Sequence, residues 1–81
     1  MALDHSETAS KVRAIIAEQL RINKEKIAPD STLEDLGADS LDRVKIIMEL
    51  EEAFGIEIKD EEAEKLSTVD QVINYVQTLQ H

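Results

Sequence analysis

The sequence contains no cysteine and no tryptophan, one proline, two glycines, and a single phenylalanine and tyrosine, Phe54 and Tyr75. Without cysteine there is no disulfide, no thiolate metal site and no cysteine nucleophile. The two histidines, His5 and His81, lie within a few residues of the termini, which argues against a buried Ser-His-Asp arrangement or a histidine-rich metal site. So little proline and glycine leaves too little turn chemistry for a many-stranded β fold. Few aromatics mean an aliphatic core. No apolar run approaches the ~20 residues of a membrane span. Residues 1–10 show neither the apolar stretch of a signal peptide nor a basic transit sequence, so a cytoplasmic protein is expected.

What remains is an 81-residue chain with 42% hydrophobic and 33% charged residues. That length suits one small domain spanning 1–81, and the composition is too apolar for a disordered acidic tail. Net charge is −9, from 9 basic and 18 acidic residues. Such a balance argues against nucleic acid and against anionic membranes, and it points to proteins with basic patches. Residues 29–66 supply the acidity, with thirteen acids against Arg43, Lys45, Lys59 and Lys65. Repulsion there should make the fold sensitive to salt, although acidic residues also serve simply to keep a small domain soluble.

Apolar spacing predicts the helices. Val12, Ile15, Ile16 and Leu20 mark a first helix over about 8–21. A long connection then runs to Asp39, punctuated by Pro29 and Gly37, with Ile27, Leu33 and Leu36 as isolated apolar residues that pin it to the core. Loops this long in small domains often serve function. Asp39 is a good N-cap for a second helix over 40–54. Around that helix Asp42, Lys45, Glu49 and Glu52 form a narrow polar stripe, and most of the remaining circumference is apolar. Leu41, Val44 and Met48 lie between the stripe and Glu51 and are expected to be half-buried. Met48 suits either core packing or an adaptable binding surface. Asp60 is expected to cap a short helix over 60–66. Thr68 and Gln71 form a capping box for a last helix over 69–79, carried by Val69, Val72, Ile73, Val76 and Leu79. The predicted fold is all-α: a small four-helix bundle of three longer helices and one short third helix, with a long loop between the first two.

Catalysis by this chain is not expected, because its carboxylates fall mostly on solvent faces and so short a chain has little room for a cleft. The acidic loop from Asp30 is not a calcium loop. Its sixth position is Asp35 where glycine is needed, and its twelfth is Leu41 rather than Glu. No metal site is predicted. Ser40 is different, since its hydroxyl stands at a helix start where first-turn N–H groups and the helix dipole would stabilise an attached phosphate. Serine is also common at helix N-termini for structural reasons, and position alone leaves both readings open.

The run Leu36-Gly37-Ala38-Asp39-Ser40-Leu41-Asp42, followed by Met48-Glu49-Leu50-Glu51-Glu52-Ala53-Phe54, closely resembles the acyl carrier proteins of type II fatty acid synthesis. The resemblance continues through Glu57 to Lys65 and covers nearly the whole chain. It implies 4′-phosphopantetheine, transferred from coenzyme A to Ser40 by a phosphopantetheinyl transferase (holo-acyl carrier protein synthase), with Asp39 helping to position that enzyme and its metal. The arm's thiol would hold acyl chains as thioesters, which explains how a chain without cysteine takes part in thiol chemistry. Leu41, Asp42, Val44, Met48, Glu51 and Glu52 would meet the basic patches of fatty acid synthesis enzymes and acyltransferases. An acyl chain would lie between the second and third helices against Ile46, Ile47, Leu50, Phe54, Ile58, Ala63 and Leu66. The expected form is a monomer.

One departure stands out. Position 45, usually acidic in these carriers, is Lys45, and Arg43 adds a second base nearby. Lys45 is expected to pair locally with Asp42 or Glu49, and both bases to weaken docking to basic enzyme patches. Three other readings stay open: a specialised carrier for another acyl or aminoacyl pathway, an unmodified acidic interaction module, and a regulatory domain phosphorylated on Ser40.

Overall fold

The computed structural model describes residues 4–80; His81 lies outside them. The elements in chain order are α1 (His5–Leu20), a 3₁₀ turn (Lys24–Lys26), α2 (Ser40–Phe54), α3 (Asp60–Lys65) and α4 (Val69–Leu79). They form an all-α bundle of three longer helices and one short one. Among the described residues no strand occurs, only an isolated antiparallel bridge between Thr32 and Thr68. No described helix is long and apolar enough to cross a membrane.

α1 begins earlier than its apolar spacing suggests. The Asp4 carboxylate accepts a 2.8 Å hydrogen bond from Glu7 N, a side-chain cap on polar residues that carry no hydrophobic period. The helix ends at Arg21, whose left-handed backbone (φ 57°) directs its N–H back to the carbonyls of Ala17 and Glu18. That conformation usually falls to glycine. Ala9, Val12 and Ile16, at helical spacing, are buried and pack toward both α2 and α4. Ile46 and Leu50 from α2, and Val69, Val72, Ile73 and Val76 from α4, complete the centre of the core. Thr8 is fully buried, and its hydroxyl accepts a 2.7 Å hydrogen bond from Gln80 Nε2, tying the end of α4 to the start of α1.

α3 is built differently. It buries none of its own residues, and no side chain caps it. Asp60 is the first helical residue rather than the cap, because the extended backbone at Lys59 (φ −72°, ψ 148°) already supplies the turn-in. Three acids in its first turn, Asp60, Glu61 and Glu62, suit the positive end of the helix dipole. Ile58 before it and Leu66 after it are buried and act as apolar anchors.

The long connection is not structureless. Asn23 caps the 3₁₀ turn through Glu25 N at 3.1 Å. The Ser31 hydroxyl accepts from Ala28 N, and that of Thr32 from Asp35 N. Leu33 N donates to Ser67 O at 3.0 Å, Val69 N to Ser31 O at 2.9 Å and Asp70 N to Pro29 O at 2.9 Å. The loop thus satisfies amides that α4 leaves open at its N-terminus. Thr68 and Gln71 satisfy others through a reciprocal capping box. Ile27 and Leu33 are buried in the core and Leu36 packs against it.

Because Leu33 is 2% exposed, Leu33→Ala should cost about 2–5 kcal/mol. Urea unfolding with an unchanged m-value checks this. A loss below about 0.5 kcal/mol, the range of surface substitutions, would show that the loop lies on the core without belonging to it.

Candidate functional site

The approach to α2 is fixed residue by residue. Ala38 N donates to Leu33 O and Gly37 N to Glu34 O, both at 2.9 Å, folding residues 33–38 back on themselves. Gly37 has φ +94°, a backbone state that a side chain would strain. Asp39 then caps α2 in a reciprocal box: Asp42 N donates to Asp39 Oδ1 at 2.8 Å, and Asp39 N to Asp42 Oδ2 at 3.2 Å. Ser40, first residue of the helix, is exposed. Its side chain therefore leaves the protein at the positive end of a capped helix.

Ser40 also stands at the mouth of an open cleft of about 890 Å³ between α2, α3 and residues 34–38, within the ~300–1,000 Å³ of small-molecule sites. From α2 the cleft takes Ser40, Val44, Ile47 and Glu51, at spacings of four, three and four residues, so these side chains share one helix face. Met48 widens that face, and Ile58 and Ala63 stand opposite from the α3 side. The floor is apolar. The rim carries Glu34, Asp39, Asp60 and Glu64, and Arg43 is the one base among the described lining residues.

Of the residues expected to contact an acyl chain, Ile47, Ile58 and Ala63 line the cleft. Ile46, Leu50 and Leu66 do not: they are buried in the main core, with Ile46 and Leu50 fully enclosed. Phe54 is half-buried against that core and also stays outside the cleft. The reason is angular, since positions 46 and 50 lie on a different helix face from the stripe that continues from Ser40. Following that stripe by i+4, i+7 and i+11 finds Val44 and Glu51, which were expected at a partner surface.

Leu41, Val44 and Met48 are exposed by 70%, 55% and 54%, more open than the half-buried state their position suggested. Glu52 is exposed and Asp42 half-buried. The Glu51 carboxylate turns toward α3, where Oε2 accepts from Ile58 N at 2.9 Å. Arg43 is not a free surface base. Its Nη2 donates to Ala63 O at 3.1 Å and to Leu66 O at 2.9 Å, capping the carbonyl end of α3. Nothing in the sequence marks that reach. Lys45 is exposed and pairs with neither Asp42 nor Glu49; the ion pair among the described residues is Glu62–Lys65 at 3.8 Å.

Among the described residues no three His, Asp or Glu side chains gather as metal ligands. Away from the cleft, burial and the Glu62 carboxylate raise the Tyr75 hydroxyl above its ordinary value of 10.0, so it is neutral at pH 7.

The family described as phosphopantetheine attachment site matches residues 10–76. An acyl carrier protein from Thermosynechococcus vestitus is 53% identical over 75 residues, covering 91% of this chain and 93% of that protein. Another, from Rubrobacter xylanophilus, is 49% identical with the same coverage of each chain.

The capping box makes a separable prediction. Asp39→Ala removes the cap on Asp42 N and should cost about 0.5–2 kcal/mol. Thermal unfolding at neutral pH checks it; an unchanged midpoint would mean that the Asp39 carboxylate does not hold the helix start.

Proposed function

The chain belongs to the acyl carrier protein family, whose members carry acyl groups on phosphopantetheine and catalyse no step themselves, and from that premise we propose that Ser40 is the attachment point. One observation carries this reading: an exposed serine hydroxyl at the first position of a capped helix, at the mouth of an apolar-floored cleft. A phosphodiester on Oγ fits there, because the first-turn amides and dipole of α2 favour negative charge. The cleft beside it has the volume and apolar floor that an acyl chain requires. In the modification Ser40 Oγ forms the new bond to the phosphate of coenzyme A's pantetheine arm. The bond from that phosphate to the nucleotide breaks, and the hydroxyl proton leaves to a base on a phosphopantetheinyl transferase. When bound, the group supplies a thiol that this chain lacks.

The chain's own residues then divide the work. Asp39 holds the helix start, and its position beside Ser40 suits contact with the transferase and its metal. Val44, Ile47, Met48, Ile58 and Ala63 offer apolar contact to the cargo. Leu41, with the outer faces of Val44 and Met48, gives partner enzymes an apolar stripe beside the acids Asp42 and Glu52. Partners with basic patches, the transferase and the enzymes of fatty acid synthesis in the cytoplasm, fit that surface. Glu51 contributes less to it, since one of its oxygens is already committed to Ile58 N.

Lys45 favours a second reading within the same class. Exposed and unpaired on α2, it places a positive charge among the groups that meet basic partners. A specialised acyl pathway, with enzymes adjusted to that charge, is the alternative it supports.

Intact mass measured before and after incubation with coenzyme A, Mg²⁺ and a broad-specificity transferase should show the gain of one phosphopantetheine, absent in Ser40→Ala. No gain in a folded protein beside an active control carrier would favour the unmodified interaction module. Lys45→Glu should speed use by enzymes of an ordinary fatty acid system, most at low salt, by about two- to fivefold. Equal rates at every ionic strength would assign Lys45 no part in docking.

A further inference from the structure

α3 buries none of its own residues, yet it forms one wall of the cleft. Besides its flanking apolar anchors, Ile58 and Leu66, two polar ties hold it to α2. At the end far from Ser40, Glu51 Oε2 accepts from Ile58 N. At the near end Arg43 Nη2 donates to the carbonyls of Ala63 and Leu66. Arg43 lies three residues after Ser40, about one helical turn, whereas Glu51 lies on the order of 16 Å along the axis. α3 therefore runs antiparallel to α2, with Arg43 at the Ser40 end of the cleft and Glu51 toward its other end. The Arg43 tie is charge-assisted and meets the negative end of the α3 dipole, which makes it the stronger of ordinary tethers of this kind.

We propose that Arg43 is a specificity-determining residue for cargo: its hold on the end of α3 sets how readily a longer acyl chain leaves the cleft. The inference rests on the reading of Ser40 and the cleft given above. A chain in the cleft keeps its place only while α3 stays against α2, and α3 moves outward at the mouth only by giving up its bonds to Arg43. One nitrogen, Nη2, bonds both carbonyls, so both bonds depend on the one guanidinium and both go when it is removed. An acetyl group has one carbon beyond its carbonyl and offers almost no apolar surface for the cleft to hold, so it should be insensitive to Arg43. An octanoyl group carries a seven-carbon apolar chain that gains from burial against the cleft floor, so it should depend on that hold. Arg43 thus acts on the cargo by length.

The test uses the protein carrying acetyl- or octanoyl-phosphopantetheine on Ser40, as wild type, Arg43→Met and Arg43→Lys. Hydroxylamine attacks the thioester carbonyl, the C–S bond breaks, and hydroxamate and the free thiol result; intact mass gives the rate, referred to the same acyl group on free pantetheine. Octanoyl should be protected in the wild type. Arg43→Met should speed its cleavage about tenfold, one decade for a lost charge-assisted bond at a half-buried site. Arg43→Lys should fall between, and acetyl should not respond in any form. Amide exchange should quicken over residues 58–66 and not in α1 or α4.

Octanoyl protection that is equal in wild type and Arg43→Met overturns the role of Arg43 and leaves the cleft as the cargo site. Absence of octanoyl protection in the wild type overturns both the role of Arg43 and the cleft reading, while attachment at Ser40 stands on its mass shift. Acceleration of acetyl and octanoyl alike, or faster exchange spreading into α1 and α4, shows general loosening and also overturns the proposal.

Discussion

Where the long loop meets the start of α4, each side completes the hydrogen bonding of the other. The first amides of a helix have no partner within it, and here Ser31 and Pro29 lend their carbonyls to Val69 and Asp70. In return Ser67 O receives Leu33 N, and the loop acquires a fixed path. Leu33 is then seated in the core, Ala38 N reaches back to Leu33 O, and the chain arrives at Asp39 with one possible direction. Ser40 is placed by this sequence of contacts. The serine's surroundings are therefore set in part from α4, an element other than the helix that bears it.

The two halves of the molecule are held by different forces. α1, α2 and α4 share buried aliphatic residues at helical spacing, the source of most stability in so small a domain. α3 relies on Ile58, Leu66 and a few polar ties. Local opening free energies follow the density of buried contacts, so α3 is the element that moves first while the frame holds. One firm wall and one yielding wall would suit the admission and release of a flexible guest that the proposed function asks of this cleft.

The regular parts of this fold were legible from periodicity. The Val69-Val72-Ile73-Val76 spacing and the Thr68/Gln71 box mark α4 without further information, and Asp39 marks the start of α2. Asp4 and Glu7 carry a cap signature too, but four polar residues, His5 to Thr8, precede the first apolar one of the helix, Ala9, and a reading led by hydrophobic period begins the helix late. Ser40 stood out in the sequence as a serine at a helix start, and the structure has it exposed there beside a cleft that part of its stripe lines. Ile46 and Leu50, expected beside an acyl chain, lie in the main core and outside the cleft, since an apolar residue on a central helix serves either, and only the angle from Ser40 separates the two. Arg43 was read as surface charge. The carbonyls it meets, Ala63 and Leu66, lie twenty and twenty-three residues away, and no local pattern reports a contact over that distance.

α2 is a partition with a different task on each side. Ile46 and Leu50 face the frame, Val44 and Met48 face the cleft and solvent, and Ile47 lines the cleft while still packing against the core. Substitutions on one side bear on folding free energy, and under the proposed function those on the other bear on cargo and partners. In the proposed role, the outward face of this helix could therefore be recut for a different client while the inward face, and with it the ability to fold, stays as it is.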